Sequence, residues 1–484
     1  MTYLVIAPIL LPALAACGYA LFGWRGATVW LGAGAAAGLL ACAVALAAGA
    51  PVTFLGLLRA DALSAFMLVV VGAVALMAML AGPAYLAGEL AAGHIGPRDS
   101  RRYGVLTQAF VATMALAVLA ANLGVLWVAI EATTILTAFL VAFHRTRQAT
   151  EAAWKYVVIC SVGIALALLG IVLVHYAALH AGIPAAGALD AATLAAHAAD
   201  LDPGVTRIAT VLIVLGFGTK AGLAPLHAWL PDAHSQAPAP VSALMSGVLL
   251  SVAFYAILRV KVIADVALGP TTMRVLLVTA ALASLAVAAA LLLAQRDFKR
   301  LLAYSSIEHM GLLALGAAIG GRLALVAVLL HILGHGLGKA ALFLSSGQIS
   351  QAIGSNRVAA ARGLLARAPL VAGAFTAGLL AILGLPPFSL FASELGIVRA
   401  GFAAGLGWAI GLALVLMLVI VAAVGQHGRR MLLGASAEPV IVAAQPAAVV
   451  PMIAGLAACA LLGVTTGPLN SLLGAAAIIA GATP

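Results

Sequence analysis

Long runs of apolar residues, separated by short polar breaks, follow one another along almost the whole chain. A run of about 20 apolar residues is long enough, as a helix, to cross roughly 30 Å of hydrocarbon. The pattern therefore predicts an all-α polytopic membrane protein with about fourteen transmembrane helices. The predicted spans are 3–22, 27–49, 61–88, 104–120, 122–143, 155–179, 207–227, 239–260, 271–294, 301–319, 323–350, 368–398 with a break, 404–427 and 448–474.

Composition agrees with this pattern. Of 484 residues, 65% are hydrophobic and only 8% are charged, and the mean hydropathy of +1.20 lies far above that of a soluble domain. The first apolar run has no basic segment before it and no convincing cleavage site after it. We therefore expect a retained helix there rather than a signal peptide.

The lysines and arginines divide unequally between alternate loops, which predicts the orientation of the chain. Fifteen lie on one side and seven on the other, and with Lys220 and Lys339 inside helices they account for all 24. By the positive-inside rule the richer side is cytoplasmic, so both termini are expected outside, in a bacterial or archaeal plasma (inner) membrane. The net charge of +10 then reflects topology, and no nucleic-acid partner is expected. The richer side holds Arg25, Arg98, Arg101, Arg102, Arg145, Arg147, Lys155, Arg296, Lys299, Arg300, Arg357, Arg362, Arg367, Arg429 and Arg430.

No metal or cofactor motif is evident in the sequence. The four cysteines are solitary residues of apolar helices, which argues against a disulfide framework, an iron–sulfur cluster or a zinc site. The run "GHGLGKAAL" (334–342) has the wrong glycine spacing for a phosphate-binding loop, and Ala340 stands where Ser or Thr would hold magnesium. We expect the chain to bind no redox cofactor and no metal.

Ionisable residues inside apolar helices cost several kcal/mol, so they are the first candidates for function. Glu131 lies about nine residues, or roughly 14 Å, into its predicted helix, beyond reach of the interface. Lys220 lies within "GFGTKAGLAP", where glycines and a proline weaken the helix and favour an opened backbone. The functional interpretation is a pair of protonatable sites. The alternative is a structural glutamate and a lysine held permanently in one ion pair.

A third group of titratable residues is in "LLHILGHGLGKAALF". His331, His335 and Lys339 are spaced by four, so they project from nearly one face of a helix and suggest a relay. In the preceding helix, Glu308 and His309 are adjacent and point about 100° apart. We expect His309 to face inward and Glu308 to be structural.

Prolines interrupt two predicted helices, the seventh at Pro225 and the twelfth at Pro386 and Pro387. Glu394 follows the second break as Lys220 precedes the first. Two broken helices that each carry one buried charge indicate a repeated transporter fold, and an odd offset of five helices requires inverted units. We predict an N-terminal three-helix segment at 1–100, inverted repeats at 101–265 (helices 4–8) and 266–430 (helices 9–13), and a C-terminal helix in 431–484. The stretch "HAWLPDAHSQAP" (227–238) is expected to be the turn that leads to the next helix.

Several stretches together resemble the antiporter-like subunits of respiratory complex I, membrane-bound hydrogenases and multisubunit cation antiporters. They are "PLHAWLPDAHSQAPAPVSALMSG", "RDFKRLLAYSSIEHMGLLALG", "HGLGKAALFLSSG" and the helices of Glu131 and Glu394. The resemblance covers nearly the whole chain. The combination of "YSSIEHMG" with Ser251 in "GVLLSVAFYAILR" is most similar to component F of hydrogenase-4 type complexes, and next to chain M of NADH-quinone oxidoreductase.

This resemblance implies a role for each buried charge. Each repeat is expected to contain a proton half-channel, with Glu131 and Lys220 as an interacting pair and Glu394 as the terminal site. The axis between them would run through His309, His335 and Lys339, while His227, His234, Ser251, Glu308 and His331 are further candidates. Ser251 departs from the family, which has a lysine there; a serine cannot hold a proton charge at neutral pH, and Lys339 is the expected substitute.

Three functions fit these features. The first is a proton-translocating subunit of a redox-driven hydrogenase or NADH-quinone oxidoreductase type complex, which itself has no catalytic centre and couples to electron transport in partner membrane subunits. The second is a subunit of a multisubunit sodium/proton antiporter. The third is a structural anchor whose buried charges only fix packing.

Overall fold

The computed structural model describes residues 2–434 and 446–482. Its helices are α1 Ala7–Phe22, α2 Leu31–Ala47, α3 Ala62–Ala91, α4 Pro97–Leu119, α5 Leu123–Val141, α6 Arg147–His180, α7 Ala191–Ala196, α8 Pro203–Ala221, α9 Leu230–Gln236, α10 Ala239–Leu244, α11 Leu250–Leu268, α12 Pro270–Leu292, α13 Phe298–Ile319, α14 Gly321–Ile353, α15 Leu364–Arg367, α16 Pro369–Ile382, α17 Ser389–Ala403, α18 Gly407–Leu432, α19 Pro446–Val464 and α20 Asn470–Ile479. A small antiparallel hairpin pairs β1 Val52–Phe54 with β2 Leu58–Ala60. A π-helical turn, Met245–Leu249, joins α10 to α11.

The helices confirm an all-α, multi-pass membrane protein. Twelve helices of the described residues are long and apolar enough to cross a membrane, and α1 and α16 are shorter apolar helices. Two predicted spans run past the ends of their helices. The helix predicted at 207–227 stops at Ala221, because Gly222 adopts a left-handed conformation with φ of 79°. The span predicted at 448–474 stops at Val464, where glycine and proline at 467 and 468 begin a separate turn.

Three stretches form the centre of the bundle. The continuous helix Ala239–Leu268 and helix α13 are buried over their whole apolar windows, and α14 is nearly so. These are the helices that carry Ser251, His309 and Lys339. The outer helices, such as α6 and α18, have exposed apolar faces. Such faces suit contact with lipid or with a partner subunit.

Two glycines bring the central helices into backbone contact. A Cβ on Gly247, in the π-helical turn, would lie 3.0 Å from the carbonyl oxygen of Gly336 in α14. A Cβ on Gly336 would lie 3.0 Å from the carbonyl oxygen of Gly247. The contact is reciprocal, so a side chain at either position would require the facing backbone to move by a few tenths of an ångström.

The first helix break lies between α8 and α9, as Pro225 predicts. Its freed backbone groups find partners inside the protein, which is how membranes tolerate a broken helix. The indole Nε1 of Trp229 donates to the Thr219 carbonyl at 2.9 Å, and the Ala224 amide donates to Ser284 Oγ at 2.9 Å. The stretch expected to be a simple turn contains the short helix α9, because Trp229 and Leu230 anchor it in the core.

The second break lies between α16 and α17, as Pro386 and Pro387 predict. Gly384 is left-handed there, with φ of 61°. Helix α19 covers the break: a Cβ on Gly463 would lie 2.7 Å from the carbonyl oxygen of Phe388, and Ser389 Oγ lies 3.3 Å from Cys459 Sγ. Helix α19 therefore covers this opening of the backbone.

Helix packing follows a similar order in the two proposed repeats. In 101–265, α4 packs on α5, α5 on α6, and α6 on the broken helix at α8. In 266–430, α12 packs on α13, α13 on α14, and α14 on the broken helix at α16 and α17. The boundaries at 100 and 430 fall in end turns of α4 and α18. The inverted relation of the repeats stays a prediction.

A buried ion pair fastens the start of α3 to α11. Arg259 makes two contacts of 2.7 Å with the two carboxylate oxygens of Asp61, which also accepts the Ser64 amide at 2.9 Å as the helix N-cap. Burial opposes ionisation of Asp61, but Arg259 and Ser64 together hold its pKa below the usual value. The pair is expected to contribute measurably to the stability of the fold.

We expect Asp61→Ala to destabilise the fold by about 3–5 kcal/mol, because it leaves the Arg259 guanidinium buried without its partner. Since the pKa of Asp61 is depressed in the folded state, its contribution is complete above the unfolded pKa and declines as the pH falls below about 4. Thermal unfolding in detergent measures both effects. Glu151→Ala, which removes an exposed partner of Lys155, is the control and should change stability by no more than about 1 kcal/mol. Equal stability of the two variants would contradict the assignment.

Candidate functional site

The first cluster of buried polar groups surrounds Lys220, at the end of α8. Its ammonium is fully buried and donates to Thr134 Oγ1 at 2.9 Å and to the hydroxyl of Tyr156. Thr134 in turn donates to Glu131 Oε2 at 3.1 Å, and Tyr156 shares a hydrogen bond with Thr137. Three helices, α5, α6 and α8, thus supply one hydrogen-bonded chain from Glu131 to Lys220.

Small residues set the position of Lys220 against α6. A Cβ on Gly163 would lie 2.6 Å from Thr219 Cβ, and one on Gly216 would lie 2.6 Å from the Ala167 amide nitrogen. Because α6 and α8 touch through these glycines, the lysine reaches Tyr156 on the facing helix.

The predicted Glu131 and Lys220 pair is an indirect one. Among the described residues the two side chains form no direct ion pair, and Thr134 lies between them. Glu131 is only partly buried, on the side of α5 that also exposes Val128 and Ile135. A hydroxyl bridge, rather than contact of the two charges, links the carboxylate to the ammonium.

The second cluster surrounds Lys339 in α14. Its ammonium is fully buried and donates to the Leu302 carbonyl at 2.9 Å and to Ser305 Oγ, both on α13. Glu308 is buried and lies near enough for its charge to act on Lys339. The lysine therefore joins α14 to α13 at the centre of the bundle.

The third cluster brings three histidines together. His309 Nδ1 lies 3.1 Å from His331 Nε2, and His331 Nδ1 lies 2.9 Å from Ser393 Oγ. The ring of His335 lies 5.0 Å from that of His309 and stacks at 6.5 Å from that of His331. Glu394, partly buried on α17, has an oxygen within 4.8 Å of the His309 and His331 nitrogens. The predicted stripe on α14 thus continues to the second broken helix.

Several buried polar atoms in the interior lack a protein partner within the described part of the chain. They include both ring nitrogens of His234, both ring nitrogens of His335, Nε2 of His309 and the hydroxyl of Ser251. His234 lies between the first and second clusters: its ring is 6.0 Å from that of Trp229 and 5.7 Å from that of Phe343. Buried polar groups are nearly always hydrogen-bonded, so these atoms mark positions for internal water.

One expectation about side-chain direction needs correction, and one candidate residue lies outside the three clusters. Glu308 and His309 are both buried, although only His309 was expected to face inward. The reason is that α13 is surrounded on all sides, so adjacent residues face different buried neighbours. His227 is only half-buried in the segment between α8 and α9, and the structure does not bring it into the three clusters.

Other polar residues of the interior were not predicted from the sequence. Thr134 follows Glu131 by three residues, a helical spacing that could have revealed it. Tyr156 and Ser393 carry no charge and give no such signal. Lys299, counted as a loop residue, is buried and donates to the carbonyls of Ser235 and Ala237 at 3.0 and 2.9 Å.

A polar cleft opens on the surface of the protein beside α9. Asp232 in this cleft pairs with Lys155 at 3.2 Å and with Arg300 at 2.5 Å. Helix α9 therefore presents Asp232 and Ser235 to the cleft and buries His234 on its other side. The cleft is lined by Gln148, Glu151, Ala152, Lys155, Asp232, Ser235, Gln236, Asp297 and Arg300.

A helical membrane bundle with two broken helices and lysines, histidines and glutamates in its interior defines an antiporter-like membrane subunit. Comparison with known proteins agrees. The chain belongs to the family described as "NADH:quinone oxidoreductase/Mrp antiporter, TM", whose model matches residues 120–420.

Relatives and solved structures extend this result. A hydrogenase-4 component F homolog of Methylacidiphilum infernorum is 42% identical over 319 residues, which are 66% of this chain and 67% of that protein. The NADH-quinone oxidoreductase subunit N of Desulforudis audaxviator is 38% identical over 57% of this chain and 54% of its own length. A chain of the membrane-bound sulfane sulfur reductase, an archaeal respiratory membrane complex, shares the fold with a TM-score of 0.88, at 24% identity over 100% of this chain and 98% of its own.

Proposed function

We propose that this chain is the proton-translocating membrane subunit of a redox-driven complex of the hydrogenase-4 or NADH-quinone oxidoreductase type. The observation that carries the proposal is the sequence of three clusters, from Glu131 and Lys220, through Lys339, to the histidines and Glu394. Every one of these groups can gain or lose a proton. Placing so many in apolar helices is costly unless they are used.

The first step of transfer is controlled by Glu131. While the carboxylate is ionised, the bridge through Thr134 stabilises the ammonium of Lys220. If a partner subunit draws Glu131 away or neutralises it, that stabilisation is lost and the buried lysine releases its proton. Because Glu131 is partly exposed on α5, a neighbouring membrane subunit can reach it.

The released proton then moves along the interior. His234 and the waters at the unpartnered nitrogens supply acceptors between Lys220 and Lys339. From Lys339 the path continues through His335, His309 and His331 to Glu394. Glu394 is partly exposed on α17, which gives the proton an exit toward solvent or a second partner subunit.

Nitrogen donors in the third cluster favour protons over sodium. Hard cations prefer oxygen ligands, whereas imidazoles bind protons and softer metals. The sodium/proton antiporter remains the second candidate, because the family model covers both kinds of protein. We also propose the orientation with both termini outside, on the charge count given above.

Purification of the native complex tests the proposal. We expect redox-active subunits to copurify, and reconstituted vesicles to take up or release protons when the electron donor is added, with no requirement for sodium. Copurification with small antiporter subunits alone, and transport that needs sodium, would establish the alternative. Cysteine labelling from either side of the membrane at the exposed positions 3 and 402 tests the orientation.

Thr134→Val tests the bridge between Glu131 and Lys220. Valine keeps the shape but removes the hydroxyl, so we expect the translocation rate to fall about tenfold, the effect of one hydrogen bond to a charged group. Thr133→Val is a matched control, since that buried hydroxyl bonds only to the Ile130 carbonyl of its own helix. Equal translocation rates in the two variants would show that Thr134 does not couple Glu131 to Lys220.

A further inference from the structure

His309, His331 and Glu394 come from three helices, α13, α14 and α17, and their ligand atoms all lie within 4.8 Å of one another. The sequence predicts no metal site, because these residues are separated by 22 and 63 positions and form no local motif. Only the packing of α14 between α13 and α17 brings them together. Two imidazoles and one carboxylate are a frequent ligand set for zinc with an open fourth position.

The two imidazole nitrogens are already spaced for a shared ion. They lie 3.1 Å apart. With zinc–nitrogen bonds of about 2.0–2.1 Å, this separation gives an angle of about 98° at the metal, near the tetrahedral value. Both histidines are fully buried, which limits their motion.

A second contact orients one of the ligands. His331 presents Nε2 to the cluster while its Nδ1 lies 2.9 Å from Ser393 Oγ. Metal-binding histidines commonly use the other ring nitrogen in this way, because the contact fixes the tautomer and the ring plane. Ser393 lies one residue before Glu394, so the same turn of α17 supplies a ligand and the group that orients another.

We propose that His309, His331 and Glu394 form a binding site for Zn²⁺, with Ser393 as a positioning residue. Glu394 supplies the anionic ligand from its partly buried position on α17. An ion at this point occupies the imidazole nitrogens that the proposed proton path uses, so zinc blocks translocation. Binding does not depend on the proposed function, whereas the block does.

The experiment uses the purified complex in nanodiscs, treated with chelator and titrated with Zn²⁺. We expect one high-affinity zinc ion per copy of this chain, and a zinc X-ray absorption spectrum that contains two imidazole nitrogens and carboxylate or water oxygen. His331→Gln and His309→Asn should each weaken binding by at least about tenfold, and Ser393→Ala by about 10-fold or more. Where a histidine variant does not assemble, Glu394→Gln supplies the same test.

His335→Gln is the matched control. His335 is as buried as the two histidine ligands and stacks on His331, but it is not one of the three proposed ligands. Its variant should bind zinc as the wild type does. Three results would contradict the site. They are wild-type zinc affinity in both histidine-ligand variants, an equal loss of affinity in His335→Gln, and an absorption spectrum without imidazole nitrogen. Tight binding that leaves proton translocation unchanged would keep the site but contradict the proposed path.

Discussion

Lys220→Ala is expected to abolish proton translocation in a complex that still assembles, with a loss of at least about 100-fold, as for removal of an essential proton-transfer group. The ammonium is fully buried at the break after α8 and is held by Thr134 and Tyr156. Alanine has no group that can accept a proton at the Glu131 end of the path and pass it on toward Lys339. Proton flux in vesicles driven by the electron donor measures the effect.

Two controls separate proton transfer from a structural role. Lys220→Arg keeps the positive charge but cannot release a proton, so we expect it to be as inactive as alanine. Lys261→Ala removes another buried lysine, one that pairs with Asp265 on its own helix, and should leave translocation unchanged. Normal pumping by assembled Lys220→Ala would show that the lysine is not an obligatory carrier, and normal pumping by Lys220→Arg would show that only its charge matters.

Lys339→Met is expected to have the second large effect, again about 100-fold or more. Methionine matches the length of the lysine side chain but offers no site for a proton. Lys339 is bonded to the Leu302 carbonyl and to Ser305, and its charge acts on His335. Because Ser251 stands where the resemblance to the family implies a lysine, position 251 supplies no second ammonium. Proton flux is measured as for Lys220.

Ser305→Ala and Ser251→Lys complete this test. Ser305→Ala removes one contact of Lys339 but leaves the Leu302 carbonyl, so translocation should persist with a small loss. In the Lys339→Met background, Ser251→Lys should restore measurable flux, since the serine hydroxyl is buried and without a partner in the described residues. Full activity of Lys339→Met alone would remove Lys339 from the path.

The sequence predicts features that depend on local pattern. The apolar runs, the breaks at Pro225 and Pro386, and the stripe of His331, His335 and Lys339 all follow from spacing within one helix, and all appear in the structure. Charge in an apolar run is an equally local signal. It makes Glu131 and Glu394 candidate proton sites without knowledge of their neighbours.

Features that depend on how helices pack against one another were not predicted, or were predicted wrongly, from the sequence. Thr134 links Glu131 to Lys220 only because α5 and α8 approach at that level, and Tyr156 comes from a third helix. The burial of Glu308 follows from the central position of α13, which helical periodicity cannot reveal. Likewise, the convergence of His309, His331 and Glu394 requires the packing of three helices.

The backbone contact between Gly247 and Gly336 limits how this protein can change shape. No side chain lies between the two backbones at this point. Sliding one helix past the other would therefore bring neighbouring side chains into the close contact. The π-helical turn and helix α14 are thus closely coupled at this level. We therefore expect the proposed proton transfer to proceed by small rotations of lysine, histidine and glutamate side chains and by movement of internal water, without large sliding of these two helices.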